Sequence, residues 1–331
     1  MLKGSWPPKF GAVREEIDIP MEFKNRFSGG NLLGEKIGFV GTGMMGDPMA
    51  QNLLKAGINV MVYDIKPEAT KNVMALGARL VQSPSEMACC DIVFIMVNTG
   101  SQVENLLLGK QGIVQGFKGE QLLRLVIMST ISPNLIKRIA HMIGSKNIAI
   151  VDAPVSGGIG AAQHGLLAFM VGGPEDIVAS IKPYLQVMGK NIFYIGPLGS
   201  GLAIKLLNNI LGITNLYLFP EVLRLGLKAG LDIKTMVEVF RVSTAHNWCS
   251  DQWNSYLGYM EPLVKDSKSH ETLNSIVIKD IQTALELAGE LGYESAVLKA
   301  VFSMVKSGVE STGAITEDLF KEMVNAKIDP K

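Results

Sequence analysis

Cysteine is scarce in this chain of 331 residues: Cys89, Cys90 and Cys249 are all there are. Two are adjacent, the third is distant, and no Cys-x-x-Cys occurs. That spacing encodes neither a disulfide framework nor a thiolate zinc site, and it fits a reducing compartment, so a cytoplasmic location is expected. Histidine is equally sparse. His141, His164, His246 and His270 share no ligand spacing, so no metal site is expected. Net charge is absent, with 31 acidic and 31 basic residues. There is therefore no electrostatic footprint for nucleic acid or an anionic membrane. A long uninterrupted hydrophobic run is missing as well. The most apolar stretch, Ile204 to Leu227, is broken by Lys205, Asn208, Asn209, Pro220, Glu221 and Arg224; it reads as a buried helix rather than a membrane span. Residues 1–33 lack an apolar h-region, so they do not read as a secretory signal. They read as an extension before the first strand, outside the cofactor-binding part.

What is present is a hydrophobic content of 47%, enough for a sizeable core in one large domain or two. The chain is organised around Lys36–Gly46. Lys36 to Val40 reads as a strand, and Gly41, Gly43 and Gly46 give G-x-G-x-x-G before a helix marked by Met49, Leu53 and Leu54. The first glycine permits the tight turn, the second admits a pyrophosphate to the backbone, and the third lets helix and strand pack closely. With the intervening Thr42, Met44 and Met45 they form the expected cofactor-binding loop. Gly57 closes the helix, and a second apolar run, Ile58–Tyr63, ends in Asp64. A carboxylate there hydrogen-bonds the adenine-ribose hydroxyls and repels a 2′-phosphate, so NAD is expected over NADP. Lys66 is the opposing charge.

From Lys36 to about Gly196, apolar runs (Lys36–Val40, Ile58–Tyr63, Ile92–Val97, Leu125–Ser129, Ile148–Val151, Leu167–Val171, Ile192–Ile195) alternate with helix starts at Pro67, Pro84, Ser101 with Glu104, Ser132-Pro133 and Pro174-Glu175. Alternation predicts an α/β Rossmann-like, doubly wound and mostly parallel sheet over residues 34–196. After Gly196-Pro197-Leu198-Gly199 no convincing strand follows. Leu202–Lys228, Leu231–Arg241, Leu273–Leu291 and Ser295–Ser307 read as helices, with Gly230, Gly292 and Gly308 as stops and Pro220 as a kink or interruption. Residues 197–331 are thus predicted to be an all-α substrate and oligomerisation domain, joined by the long helix.

Four stretches carry candidate chemistry. In Asp152–Gly158, a serine and two glycines (Ser156, Gly157, Gly158) follow a strand and present donors suited to a carboxylate, unless this is an ordinary Gly-rich loop. Lys205 and Asn209, four apart, share one face of the long helix. A desolvated lysine there acts as a general acid or base, whereas a snorkelling one reaches solvent and does nothing. Asn98-Thr99 and Ser129–Pro133 end later strands and should line the same crevice as the glycine loop, with helix capping as the alternative. Lys279-Asp280 by itself reads as a solvated pair.

Taken in order, Gly38–Gly46 with Met49–Leu53, Ser129–Pro133, Asp152–Gly158, Gly199–Asn209 and Lys279-Asp280 resemble the β-hydroxyacid dehydrogenase family, related to 6-phosphogluconate dehydrogenase. The resemblance implies a small β-hydroxy acid or its semialdehyde as substrate and NAD as cofactor. It implies Lys205 as catalytic acid/base and Ser156, Gly157, Gly158 and Asn209 as substrate-holding residues. It also implies that Thr130 and Lys279 contact the cofactor. The apolar character of the α-domain makes a homodimer or homotetramer the expected assembly. The family often has leucine at the position of Thr42 and proline at that of Asn98. An imine reductase on the same fold, whose members usually replace the lysine, and a non-catalytic dinucleotide-binding scaffold are the alternatives.

Overall fold

The computed structural model describes residues 34–119, 121–144, 147–265, 267–310, 316–326 and 328. The expectation for residues 1–33 lies outside them. The chain divides into two compact units, Met1–Lys205 and Leu206–Lys331.

In the first unit nine strands form one sheet among the described residues: β1 (Ile37–Val40), β2 (Val60–Tyr63), β3 (Arg79–Leu80), β4 (Ile92–Ile95), β5 (Leu123–Ile127), β6 (Ile148–Asp152), β7 (Val155–Ser156), β8 (Leu167–Gly172) and β9 (Gly189–Gly196). Their order is β3-β2-β1-β4-β5-β6-β8-β7, with β9 on β8. All pairs from β3 to β6 are parallel. The chain then reverses, and β8 runs antiparallel to β6 and β7. The sheet is thus the doubly wound, mostly parallel one expected. The two-residue strands β3 and β7 had no apolar run to announce them.

Central strands are covered on both faces, which explains their unbroken apolar runs. Alternation then divides their side chains between two layers. Ile37, Phe39, Ile92 and Phe94 face helices Gly46–Lys55 and Glu175–Met188. Val40, Val93 and Ile95 face helices Gly100–Leu108 and Pro133–Ile143. A fully buried Phe contributes about 1.5–3 kcal/mol, so Phe39, Phe94 and Phe169, all under 2% exposed, anchor this unit. Below β1, Glu35 is held by Arg124, and the Tyr184 hydroxyl donates to its other carboxylate oxygen at 2.5 Å. That clamp ties the segment entering the sheet to β5 and to helix Glu175–Met188.

Helix Ser200–Lys228 leaves the sheet and runs on through Pro220, where the sequence predicted a kink or an interruption. Its neighbours Phe219 and Leu223 are buried, and their packing compensates the missing N–H. The expectation of a buried helix is corrected: Leu207, Leu211, Leu218, Val222 and Leu225 are exposed. At 100° per residue they form one exposed apolar stripe. Among the described residues this helix alone is long and apolar enough, by length and composition, to cross a membrane.

The second unit is all helical in its described residues. Helices Ile233–Val242, Trp248–Asp251, Trp253–Lys265, Ser267–Glu290, Ala296–Glu310 and Glu317–Asn325 follow. Gly230 and Gly292 end helices with φ of 81° and 66°, as expected. Gly308 does not stop its helix, which continues to Glu310. Phe219, Trp253 and Tyr256 make the aromatic centre of this core, with ring centroids 5.6–6.5 Å apart.

Candidate active site

The turn after β1 shows why glycine is required. Gly41 has φ 90° and donates its N–H to the Tyr63 carbonyl at 2.9 Å. A Cβ there would lie 2.1 Å from the Met96 carbonyl oxygen, and one at Gly46 would lie 1.9 Å from the Gly41 carbonyl oxygen. A Cβ at Gly43 would meet nothing within 4 Å, so the loop is open on that side, where a phosphate must approach. Met44 is exposed, whereas Met45 packs on the core. Thr42, buried to 2%, donates its backbone N–H to Asp64 Oδ2 at 2.8 Å, and its hydroxyl lies 3.4 Å from the same oxygen. Asp64 Oδ1 accepts the Lys66 N–H at 2.9 Å. The carboxylate is thus fixed at the end of β2, next to the loop, with the Lys66 residue exposed. A cavity of ≈ 530 Å³ opens beside the loop, lined by Thr42, Gly43, Met44, Lys55, Lys71 and Asn72 among others.

The ends of β4 and β5 also reach this edge of the sheet. Buried Ser129 accepts the Val97 N–H at 2.8 Å. The N–H groups of Asn98 and Thr99 donate to Gln102 Oε1 at 3.0 and 3.1 Å, and Thr99 Oγ1 accepts the Gln102 N–H at 3.2 Å. This is a capping box, so the helix begins at Gly100 and the expected start at Ser101 with Glu104 is two residues late. Gln serves as the third-position partner where the spacing had suggested Glu. Ser132 Oγ caps the next helix through Asn134 and Leu135. Thr130, between these, is half-buried.

Asp152 joins two of the motifs. It is fully buried; Oδ1 accepts the Gly199 N–H at 2.6 Å and Oδ2 accepts the Leu202 N–H at 2.7 Å. It therefore caps helix Ser200–Lys228 from the strand that leads to Ser156. Burial pushes its carboxyl up to about 6, against the pull of those N–H donors. Ser156 lies on β7 opposite Ala168. Gly157 and Gly158 turn out of it with φ of 131° and 72°, a path for which L side chains are poorly suited. Lys205 is half-buried on the second turn of the capped helix.

In the second unit Asn209 Nδ2 donates to Asp280 Oδ2 at 2.7 Å, while Lys279 Nζ pairs with Asp280 Oδ1 at 2.7 Å. Asp280 is 5% exposed. The reading of Lys279-Asp280 as a solvated pair is corrected: Asp280 is a buried carboxylate that links Lys279 to Asn209. A lone acid within the apolar pattern Ile276–Ile281 was the available signal. Nearby along the same helices, the Tyr217 hydroxyl donates to Asn274 Oδ1 at 3.0 Å, and burial pushes that phenol up to about 12. His246 is an exposed loop residue 3.4 Å from Asp251.

Residues 36–196 match the family described as the NAD binding domain of 6-phosphogluconate dehydrogenase. Residues 199–325 match the one described as NAD-binding of NADP-dependent 3-hydroxyisobutyrate dehydrogenase. The 3-hydroxyisobutyrate dehydrogenase of Pseudomonas aeruginosa is 40% identical over 227 residues, 68% of this chain and 75% of that protein. The chain belongs to the β-hydroxyacid dehydrogenase family. The human mitochondrial 3-hydroxyisobutyrate dehydrogenase is 38% identical over 226 residues, covering 68% of this chain and 67% of that one. In three dimensions, the Mycobacterium tuberculosis 3-hydroxyisobutyrate dehydrogenase solved with L-serine shares the fold. Its TM-score is 0.71 at 24% identity, over 88% of this chain and 99% of that one. Family membership makes this chain an NAD(P)-dependent hydroxyacid dehydrogenase. The open loop at Gly43 and the fixed Asp64 carboxylate fit a dinucleotide, which the family's glycine loop is built to hold.

Proposed function

We propose that this β-hydroxyacid dehydrogenase uses NAD to interconvert a small β-hydroxy acid and its semialdehyde or keto form. The observation that carries the cofactor choice is the Asp64 carboxylate, held by the N–H groups of Thr42 and Lys66 beside the glycine turn. Fixed in that place it accepts hydrogen bonds from a ribose diol and meets a 2′-phosphate with like charge. Gly41–Gly46 would hold the pyrophosphate, and Asn98, Thr99 and Thr130 would border the rest of the cofactor. Bound NAD supplies the hydride acceptor.

Lys205 takes the hydroxyl proton in oxidation and returns it in reduction. Ser156, Gly157, Gly158 and Asn209 orient the substrate's acid group, which fixes the position of the reacting carbon. The Asp280 bridge supports this reading, because it holds the Asn209 amide one helical turn beyond Lys205. The test is nicotinamide absorbance, with NAD and NADP against 3-hydroxyisobutyrate and L-serine and with NADH and NADPH against tartronate semialdehyde. Turnover of none of the three, with either cofactor, overturns the substrate class. The description of the 199–325 match as NADP-dependent favours a second reading, NADP use, and the same assay separates the two.

We also propose a homodimer or homotetramer closed over the stripe Leu207, Leu211, Leu218, Val222 and Leu225. Light scattering on the purified protein tests it, and a monomer at micromolar concentration refutes it.

A further inference from the structure

Sulfur collects on one side of β1, away from the glycine loop. Met61 lies on β2, and Cys89 and Cys90 lie between the 3-10 helix Pro84–Cys89 and β4. Met61 Sδ is 4.0 Å from Cys89 Sγ and 3.8 Å from Cys90 Sγ. Gly38 leaves the space for this: a Cβ there would stand 2.8 Å from Met87 Sδ and 3.2 Å from Cys90 Sγ. Three sulfurs bonded at about 2.3 Å to one ion in a plane are about 4.0 Å apart. The two edges that meet at Met61 already have about that length. Thiolate and thioether together select a soft, low-charge ion, whereas zinc takes four ligands and no thioether.

We propose that Cys89, Cys90 and Met61 form a three-coordinate site for copper(I). Cys89 is exposed and Cys90 buried, so the ion enters through Cys89 and is completed from inside. In the metal-free chain the Cys89 thiol donates to the Glu86 carbonyl at 3.2 Å, a weak bond that a metal bond readily replaces. Binding forms two copper–thiolate bonds and one copper–thioether bond and releases both thiol protons to solvent; no electron is transferred.

The experiment uses the full, reduced chain under anaerobic conditions, with copper(I) supplied as its bicinchoninate complex. One equivalent should be withdrawn per chain, and X-ray absorption should show three sulfur neighbours. Cys89→Ser, at an exposed position, and the nearly isosteric Met61→Leu should each weaken retention by more than about tenfold. Cys249→Ser, in the other unit, should leave it unchanged. No copper withdrawn, or withdrawal that survives in Cys89→Ser and is lost in Cys249→Ser, overturns the site. A two-sulfur spectrum unaffected by Met61→Leu overturns the role of the thioether.

Discussion

Replacing Asp152 tests how the long helix is fastened to the sheet. The wild-type carboxylate satisfies two buried N–H groups, those of Gly199 and Leu202. Asp152→Ala leaves both unpaired, and a buried unsatisfied donor costs about 1–3 kcal/mol, so the first unit should lose about 2–6 kcal/mol. Asp152→Asn keeps one acceptor and should fall between. The two variants differ from wild type in pH dependence as well. Burial raises the folded pKa to about 6 from an ordinary 3.8. The folded chain then binds more protons than the unfolded chain between those values, so this group's stabilisation is complete below about pH 4 and is lost as pH rises through 6. A rise of that size is worth about 3 kcal/mol. Neither Asn nor Ala titrates, so the stability difference, wild type minus Asp152→Asn, should be largest near pH 4 and shrink by that amount by pH 7. Urea unfolding of both proteins across the range, monitored by circular dichroism, measures it. The reasoning fails if Asp152→Ala matches wild type at pH 7, or if the difference is independent of pH.

Lys205→Ala should lower turnover by about 10²–10⁴-fold with NAD affinity little changed; turnover near that of wild type in a folded variant ends the proton-transfer role. The wild type should prefer NAD by about tenfold or more in kcat/KM, which needs only about 1.4 kcal/mol, and Asp64→Arg should reverse the preference. Paired kcat/KM values decide this, and equal values for the wild type refute it. Glu35→Ala removes the acceptor of both Arg124 and Tyr184 and should cost about 2–4 kcal/mol in urea unfolding. A chain starting at Gly34 keeps that clamp and should bind NAD as the full chain does, which calorimetry reports.

Much of the fold was legible because central parallel strands bury both faces and so appear as plain apolar runs. The glycines at 41, 43 and 46 could be assigned tasks from steric demands alone, and the distances to Met96 and Gly41 bear those demands out. Short elements were not legible. β3 and β7 have two residues each, too few for any period. Trp253–Lys265 was missed although its buried Trp253, Tyr256 and Met260 fall at helical spacing. Asp280 stayed hidden for a related reason: its partner Asn209 is 71 positions away, and sequence spacing reports only neighbours along a helix. The sulfur cluster has the same character, since a methionine 28 residues before Cys89 belongs to no cysteine pattern.

The bond between Thr42 and Asp64 makes cofactor choice a matter of loop architecture. On the proposed reading, the carboxylate that would confront the ribose also holds the backbone of the glycine turn, so the two duties cannot be altered separately. A redesign toward a phosphorylated ribose must place cations at position 64 and also give the Thr42 N–H a new acceptor. Without one, the turn that carries the pyrophosphate loosens, and affinity for either dinucleotide falls together. Cofactor switching here is therefore expected to need compensating changes at Thr42 as well as a new charge at 64.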